Sequence, residues 1–287
     1  MLKRFFLILF INLLVCFSCF AQELKLVHLT DIQVDSARKD NAVRKFQTSF
    51  LRYKNAVNLI NKLNPDIVVF SGDMVNVPRE NDFKDFMDIT KNIKSPYYMA
   101  LGNHDVAVGG YTKKQIMNFL NLKKRFYYII KGDYIFIFMD GTTDKKITAN
   151  GYFSKAELNF LENTLNEFKN KKAVIVQHFP IIEPFKSDGH KITNSEEYLK
   201  ILDKYDNVIA VLTGHYHYSK LTIRNNVAHI TSPAMIEEPF GFRYLIFKED
   251  GNGNTVINSK VFRSEISKQN SFIEVSGKDN NFEIKLP

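Results

Sequence analysis

The amino-acid sequence predicts an α/β fold, a layered domain whose two sheets pack face to face between helices. Three observations carry this. Strand-like apolar runs alternate with helical periodicity through the first two thirds of the chain. Beyond His217 only strand patterns follow. Runs such as "DIVVFSGD" are short and continuously apolar, the type buried on both faces.

The elements follow in order. "LKLVHLTD" reads as a strand. Phe46, Phe50, Tyr53, Val57 and Ile60 recur at steps of four and three, the stripe of an amphipathic helix that Asn64-Pro65 ends. After the strand "DIVVFSGD", "NDFKDFMDITKNI" predicts a helix and "PYYMALGNHD" a strand. "RFYYIIKGDYIFIFMDG" predicts a hairpin turning at Gly132-Asp133. Ser154 with Glu157 three residues on is a capping box and opens the next helix. "KAVIVQHFP" and "NVIAVLTGHYH" are strands separated by a helix at Glu196 to Tyr205. "KLTIRN", "VAHITS", "FRYLIFKED" and "TVINSKVFR" complete the strand-only part, with a loop at Gly251 to Asn254.

Three segments divide the chain. Residues 1–21 have the pattern of a secretory signal peptide: basic Lys3 and Arg4, an apolar run from Phe5 to Val15, then small residues, with cleavage expected after Ala21. An uncleaved anchor and a lipid-bearing Cys16 or Cys19 are the alternatives. Residues 22–265 form the expected domain, and residues 266–287 a tail able to add a hairpin or an edge strand. Both cysteines lie in the leader, so the mature chain has neither a disulfide nor a thiolate ligand. The formal charge of +8 falls to +6 without Lys3 and Arg4, and no compact Lys/Arg run points to nucleic acid. An aromatic content of 13% argues against disorder. The expected product is a periplasmic or secreted protein without a membrane span.

Polar residues cluster at strand ends. Five strands end in metal-capable side chains: Asp31 and Gln33; Asp73; Asn103 with His104 and Asp105; His178; and His215 with His217. Ligands of open α/β sheets bind at the carboxyl ends of strands. One such ending would be a turn or a cap. Five, holding four of the seven histidines, predict a shared site. Aspartates supply charge, and one can bridge two ions. Neutral imidazoles and an amide carbonyl complete the shells without excess negative charge. Two divalent ions held in this way suit phosphoryl displacement.

"D-I-Q", "SGDMVN", "GNHD", "VQHFP" and "GHYH" resemble, in order, the five blocks of the calcineurin-like metallophosphoesterases. The resemblance spans Asp31 to His217. It implies a four-layer fold, a two-sheet β-sandwich flanked by helices. It implies that Asp31, Gln33 and His217 hold a first metal, that Asn103, His178 and His215 hold a second, and that Asp73 bridges them. By the same resemblance His104 faces the substrate, with Asp105 fixing its ring.

Gln33 stands where most members have His. It keeps the site neutral at that position and offers a harder oxygen, which favours manganese over zinc or iron, with magnesium also open. The D-x-Q block and "VAHITSPAMIEEPFGFRYLIFKEDG" resemble the manganese-dependent ADP-ribose/CDP-alcohol diphosphatases. The expectation is an exported two-metal phosphohydrolase acting on a small phosphorylated molecule, nucleotide-derived by this resemblance, at a diester or anhydride bond. A phosphomonoesterase, a cyclic-nucleotide phosphodiesterase, and a binding module with a degraded site are the rivals. Phe240 is a candidate to stack on a base at the rim. His28 reads as core, Asp140 as a loop cap, and His190 and His229 show no partner signal.

Overall fold

Each long apolar run becomes a strand, and the layers follow from which face of that strand meets what. The computed structural model describes residues 23–35, 37–106, 110–143, 148–268 and 271–287. The expected signal peptide, residues 1–21, lies outside them. In chain order, β1 (Leu24–Leu29) leads through α1 (Phe46–Leu63) to β2 (Ile67–Ser71), and α2 (Glu80–Thr90) leads to β3 (Tyr97–Ala100). Two short helices, α3 (Asn103–Val106) and α4 (Lys113–Phe119), precede the hairpin of β4 (Tyr127–Lys131) and β5 (Tyr134–Phe138). Then come α5 (Lys155–Glu167), β6 (Lys172–Val176), α6 (Ser195–Leu202) and β7 (Val208–Thr213). The rest is strand: β8 (Lys220–Arg224), β9 (Val227–Thr231), β10 (Gly241–Glu249), β11 (Thr255–Arg263), β12 (Ile273–Glu274) and β13 (Phe282–Leu286).

One sheet runs β12-β11-β10-β1-β2-β3, with β13 also on β11; the other runs β4-β5-β6-β7-β9-β8. β1, β2 and β3 are mutually parallel, as are β5, β6, β7 and β9. Alternate residues of each run take opposite layers. Leu26, Val69, Phe136, Val174 and Leu212 fill the space between the sheets. Val27, Val68 and Phe70 face α1 and α2 through Tyr53, Ile60, Phe83 and Phe86. Ile135, Ile175 and Val211 face α5 and α6 through Leu161, Leu165 and Tyr198. The result is four layers, helices outside two sheets.

The local signals explain the ends of these elements. Asn64 closes α1 in the left-handed conformation, its N–H on Ile60 O, and Pro65 prevents continuation. The Ser154/Glu157 capping box opens α5. Helix α4 is absent from the sequence reading, although Thr112 and Gln115 form a second capping box there. Its single turn pair carries too few apolar positions to show a period. In the tail, β12 and β13 both lie along β11 and, among the described residues, do not pair with each other.

Arg243 ties the tail to the sandwich. It is fully buried and donates six hydrogen bonds: to Ser232 Oγ, Ser259 Oγ, Ser219 Oγ, and the carbonyls of Thr231, Asp279 and Asn280. Burial pushes its pKa down to about 9. His28, on the inward face of β1, bonds Ser71 Oγ at 2.7 Å and Ser232 Oγ at 2.8 Å, and burial with Arg243 beside it pushes its pKa down to about 3. Both side chains therefore extend one polar seam across an otherwise apolar interface. Arg243→Met should leave those acceptors dry, at about 1–3 kcal/mol for each one left without a partner. We expect a loss of about 3 kcal/mol or more in urea-induced unfolding; a loss below about 1 kcal/mol would show that water replaces the guanidinium.

Candidate metal centre

Strands of both sheets deliver their carboxyl ends to one rim. Asp31 N bonds Gly72 O at 3.1 Å, Gln33 N bonds Asp73 O at 3.0 Å, and Gly214 N bonds His178 O at 3.0 Å, so the loops after β1, β2, β6 and β7 interlock. Asp31, Gln33, Asp73, His215 and His217 all have positive φ, between 47° and 71°. Asp31, Asp73 and His215 stand two residues beyond their strands, and Gln33 and His217 four, where the left-handed backbone turns the chain. Such a conformation costs of order 1–3 kcal/mol and persists only where the surroundings over-determine it. Two glycines allow the approach. A Cβ on Gly102 would overlap Asp73 Oδ1, and one on Gly214 would overlap Thr30 Oγ1 and Asp31 Oδ2.

Asp31 and Asp73 are buried, at 0% and 1% exposure, yet ionised. Burial pushes both carboxyls up. The imidazoles outweigh it, His217 beside Asp31 and His178 beside Asp73, and both fall below the usual range. Peptide and hydroxyl donors add to this. Thr30 Oγ1 donates to Asp31 Oδ2 at 2.7 Å, His215 N to the same oxygen at 3.0 Å, and His104 N to Asp73 Oδ1 at 2.8 Å. In return His178 and His217, which burial alone would lower, are pushed up to about 9 by Asp73 and by Asp31 with Glu237. His215 goes the other way, down to about 3, through burial and the charge of His178.

The donor set fits divalent cations. Asp31 Oδ1 and His215 Nε2 are buried and have no hydrogen-bond partner among the described residues. Ligand atoms of Asp31, Asp73 and His178 lie within 4.8 Å of one another. Asn103 Oδ1 is 3.0 Å from His178 Nε2, and His215 Nδ1 is 3.1 Å from that same nitrogen. His178 donates through Nδ1 to Ser71 O at 2.8 Å, and His217 through Nδ1 to Glu237 Oε1 at 2.5 Å. Each keeps its Nε2 on the site side, the tautomer a metal-binding imidazole needs.

Gln33 joins the site in an unexpected orientation. Its Nε2 donates to Asp73 Oδ2 at 3.3 Å and lies 3.4 Å from His217 Nε2, while its Oε1 accepts from Arg44 Nη1 at 3.3 Å. The oxygen expected to bind metal thus faces away from it.

His104 is half-buried, and Asp105 does not fix its ring. His104 Nδ1 donates to Asn76 O at 2.8 Å. Asn76 is held in turn by Asp35, which also takes Arg79 at 2.8 Å. The Asp105 carboxylate lies beneath the site and accepts from the peptide N–H groups of Gly102, Asp73 and Val75 at 2.9, 2.9 and 3.1 Å. Burial and the charge of Asp73 push its pKa up to about 7. Asp105 shapes the turn; the residue beside a histidine in sequence points to the other side of a helical turn.

Phe240 is likewise corrected. It is 3% exposed and lies under Arg52, whose guanidinium carbon is 3.6 Å from the ring centre. It cannot stack on a substrate base. The sequence reading gives Arg44, Asn76 and His190 no role in the centre, and places Glu237 only at the start of a rim segment, 237–242, expected to contact the nucleoside. His190 is exposed, bonds Ser187 Oγ at 2.9 Å, and places its ring 5.3 Å from that of His215. Asn76 lies three residues after Asp73 but acts through its backbone carbonyl, which no side-chain type signals, and Arg44, Glu237 and His190 lie further along their loops, where no motif marks them.

Without metal, the two imidazolium–carboxylate pairs stabilise the fold fully below the ordinary histidine pKa of 6.5, and that contribution is lost as pH rises through about 9. A divalent cation must displace the same protons, so its affinity should increase across this interval. Calorimetry at pH 7 in buffers of differing ionisation enthalpy should register protons released as Mn²⁺ binds. Binding without proton release would remove His178 and His217 from the ligand set.

Residues 24–219 match the calcineurin-like phosphoesterase family. The chain is 24% identical over 252 residues to a probable cyclic nucleotide phosphodiesterase of Coxiella burnetii, covering 79% of this chain and 94% of that one. It is 27% identical over 184 residues to a probable glycerophosphodiester phosphodiesterase of Arcobacter nitrofigilis, covering 62% and 67%. A dimetal phosphatase from Danio rerio shares the fold, with a TM-score of 0.69 at 15% identity over 84% of this chain and 99% of that one. A yellow lupin purple acid phosphatase shares it at a TM-score of 0.60 and 15% identity, over 88% of this chain and 53% of that one. The chain belongs to the calcineurin-like phosphoesterases and is a metallophosphoesterase, a hydrolase of phosphoester bonds.

Proposed function

We propose that this enzyme is exported and uses two divalent ions, manganese in preference, to hydrolyse a diester or anhydride bond in a small nucleotide-derived substrate. The carrying observation is the convergence of the donor set on Asp73. Gln33 Nε2 and His178 Nε2 both lie on Asp73 Oδ2, at 3.3 and 3.4 Å; His217 meets Asp31 and Gln33, and Asn103 and His215 meet His178. The aspartate and asparagine oxygens favour a hard ion. Bound there, two ions would activate water and offset the charge of the phosphoryl group.

The remaining chemistry belongs to the chain. Nδ1 of His104 is committed to Asn76 O, so Nε2 is the nitrogen left to exchange a proton. Protonated, it neutralises the leaving oxygen of an ester or anhydride; neutral, it accepts a hydrogen bond. The Arg79–Asp35–Asn76 chain fixes the ring, so little reorganisation is needed when the substrate arrives.

The diphosphate reading rests on the D-x-Q block and on the segment that carries Glu237. A cyclic-nucleotide phosphodiesterase is the second reading, favoured by the Coxiella relative's name. With Mn²⁺, kcat/KM for ADP-ribose and CDP-choline should exceed that for a sugar phosphate by about tenfold or more, roughly 1.4 kcal/mol. A lead for cyclic AMP would select the second reading, and a lead for the sugar phosphate would overturn both. Asp73→Ala should lose metal and turnover together. His104→Ala should lose about 10²–10⁴-fold in rate and keep its metal; near-normal rates would exclude His104 from proton transfer.

Export rests on the basic–apolar–small pattern of residues 1–21. Protein recovered from the native host's envelope or medium should begin near Gln22, and an intact mass that retains the leader would overturn cleavage.

A further inference from the structure

Arg44 is the cation at the mouth of the centre, and its position is built rather than incidental. The Asn41 side chain accepts from Val43 N at 2.9 Å and Arg44 N at 2.7 Å, and Asn41 N donates to Arg44 O at 3.1 Å. One residue later, Lys45 N donates to Ile236 O at 3.0 Å, which fastens this loop to the segment bearing Glu237. Helix α1 then begins at Phe46. The backbone on both sides of Arg44 is therefore fixed.

The side chain is fixed by two groups that also face the metal centre. Nη1 donates to Gln33 Oε1 at 3.3 Å, and Nε lies 3.9 Å from Glu237 Oε2. The other oxygen of Glu237 takes the proton of His217 Nδ1. The Arg44 side chain is 33% exposed, and among the described residues no hydrogen bond reaches Nη2. An arginine has five N–H donors in a planar fork suited to phosphate oxygens. This one stands beside the centre with donors unspent and open to solvent.

We propose that Arg44 is a specificity-determining residue whose guanidinium binds a second phosphoryl group of the substrate, next to the one that reacts, with Gln33 and Glu237 aiming it. The proposal rests on the diphosphate reading of the site and assigns a residue to it. A diphosphate with one phosphoryl at the metals presents its neighbour within reach of the rim; a substrate with a single phosphoryl has nothing to offer Arg44. It also accounts for the orientation of Gln33, whose oxygen serves the arginine while its amide nitrogen serves Asp73.

The test is binding, so it does not depend on which substrate is turned over. Affinities of α,β-methylene-ADP and of AMP for the Mn²⁺-loaded protein are measured by calorimetry. The wild type should prefer the diphosphate by about tenfold or more, the scale of a charge-assisted contact. Arg44→Gln should bring that ratio to within about threefold while metal content and thermal midpoint stay at wild-type values, and Arg44→Lys should keep part of it. Gln33→Ala should lower the ratio too, measured on samples whose metal content is confirmed. A preference retained in Arg44→Gln, or absent from the wild type, overturns the assignment. Retention in Arg44→Gln alongside turnover of ADP-ribose would leave the diphosphate reading standing and remove only Arg44.

Discussion

Two carboxylates taken out of water impose the main demand on this molecule. Asp31 and Asp73 stand at the ends of neighbouring parallel strands, with almost no exposed surface. A buried carboxylate keeps its charge only when cations or N–H and O–H groups replace the lost hydration. Here His217 and His178 supply the charge, and Thr30, His104 and His215 supply the donors. The centre is thus half-formed electrostatically before any metal arrives. The imidazoles of His178 and His217, pushed up by these carboxylates, offset the charge of the acidic pair.

That arrangement explains the unusual backbone around it. Five of the rim side chains sit in the left-handed region, an unfavourable choice for Asp, Gln or His. The strain is held by the interlocked loops and by glycines where no Cβ fits. Further from the rim, the polar seam runs from Ser71 through His28 and Ser232 to Arg243 and then to Ser219 and the tail. Ser71 O also receives His178 Nδ1, and Ser219 lies two residues beyond His217. The seam therefore joins the loops that carry Asp73 and His217 to the centre of the sandwich.

Orientation separates the roles of adjacent residues. Asn103, His104 and Asp105 are consecutive, yet they address different partners: His178, the Asn76 carbonyl, and the peptide groups of the turn below. Roughly 100° separates successive side chains on a helical turn, so three neighbours cannot share one target. The ring of His104 is steadied instead by Asp35 acting through Asn76, two residues that the side-by-side β1 and β2 bring together.

The sequence by itself determined the layers and the gathering of the centre. Continuous apolar runs can only be strands covered on both faces, and strand ends in a parallel sheet share one rim, so Asp31, Asp73, Asn103, His178, His215 and His217 were readable as one group. It also marked Gln33 as a departure. Tertiary structure decided which atom each side chain presents: the nitrogen of Gln33 toward Asp73, Asp105 beneath the turn, Phe240 under Arg52. It also decided how Arg44, Glu237, Asn76 and His190 meet their partners at the rim. Periodicity reports which face of an element is apolar. It carries nothing about χ angles or about loops closing over long sequence separations, and those are set by the packing of the two sheets.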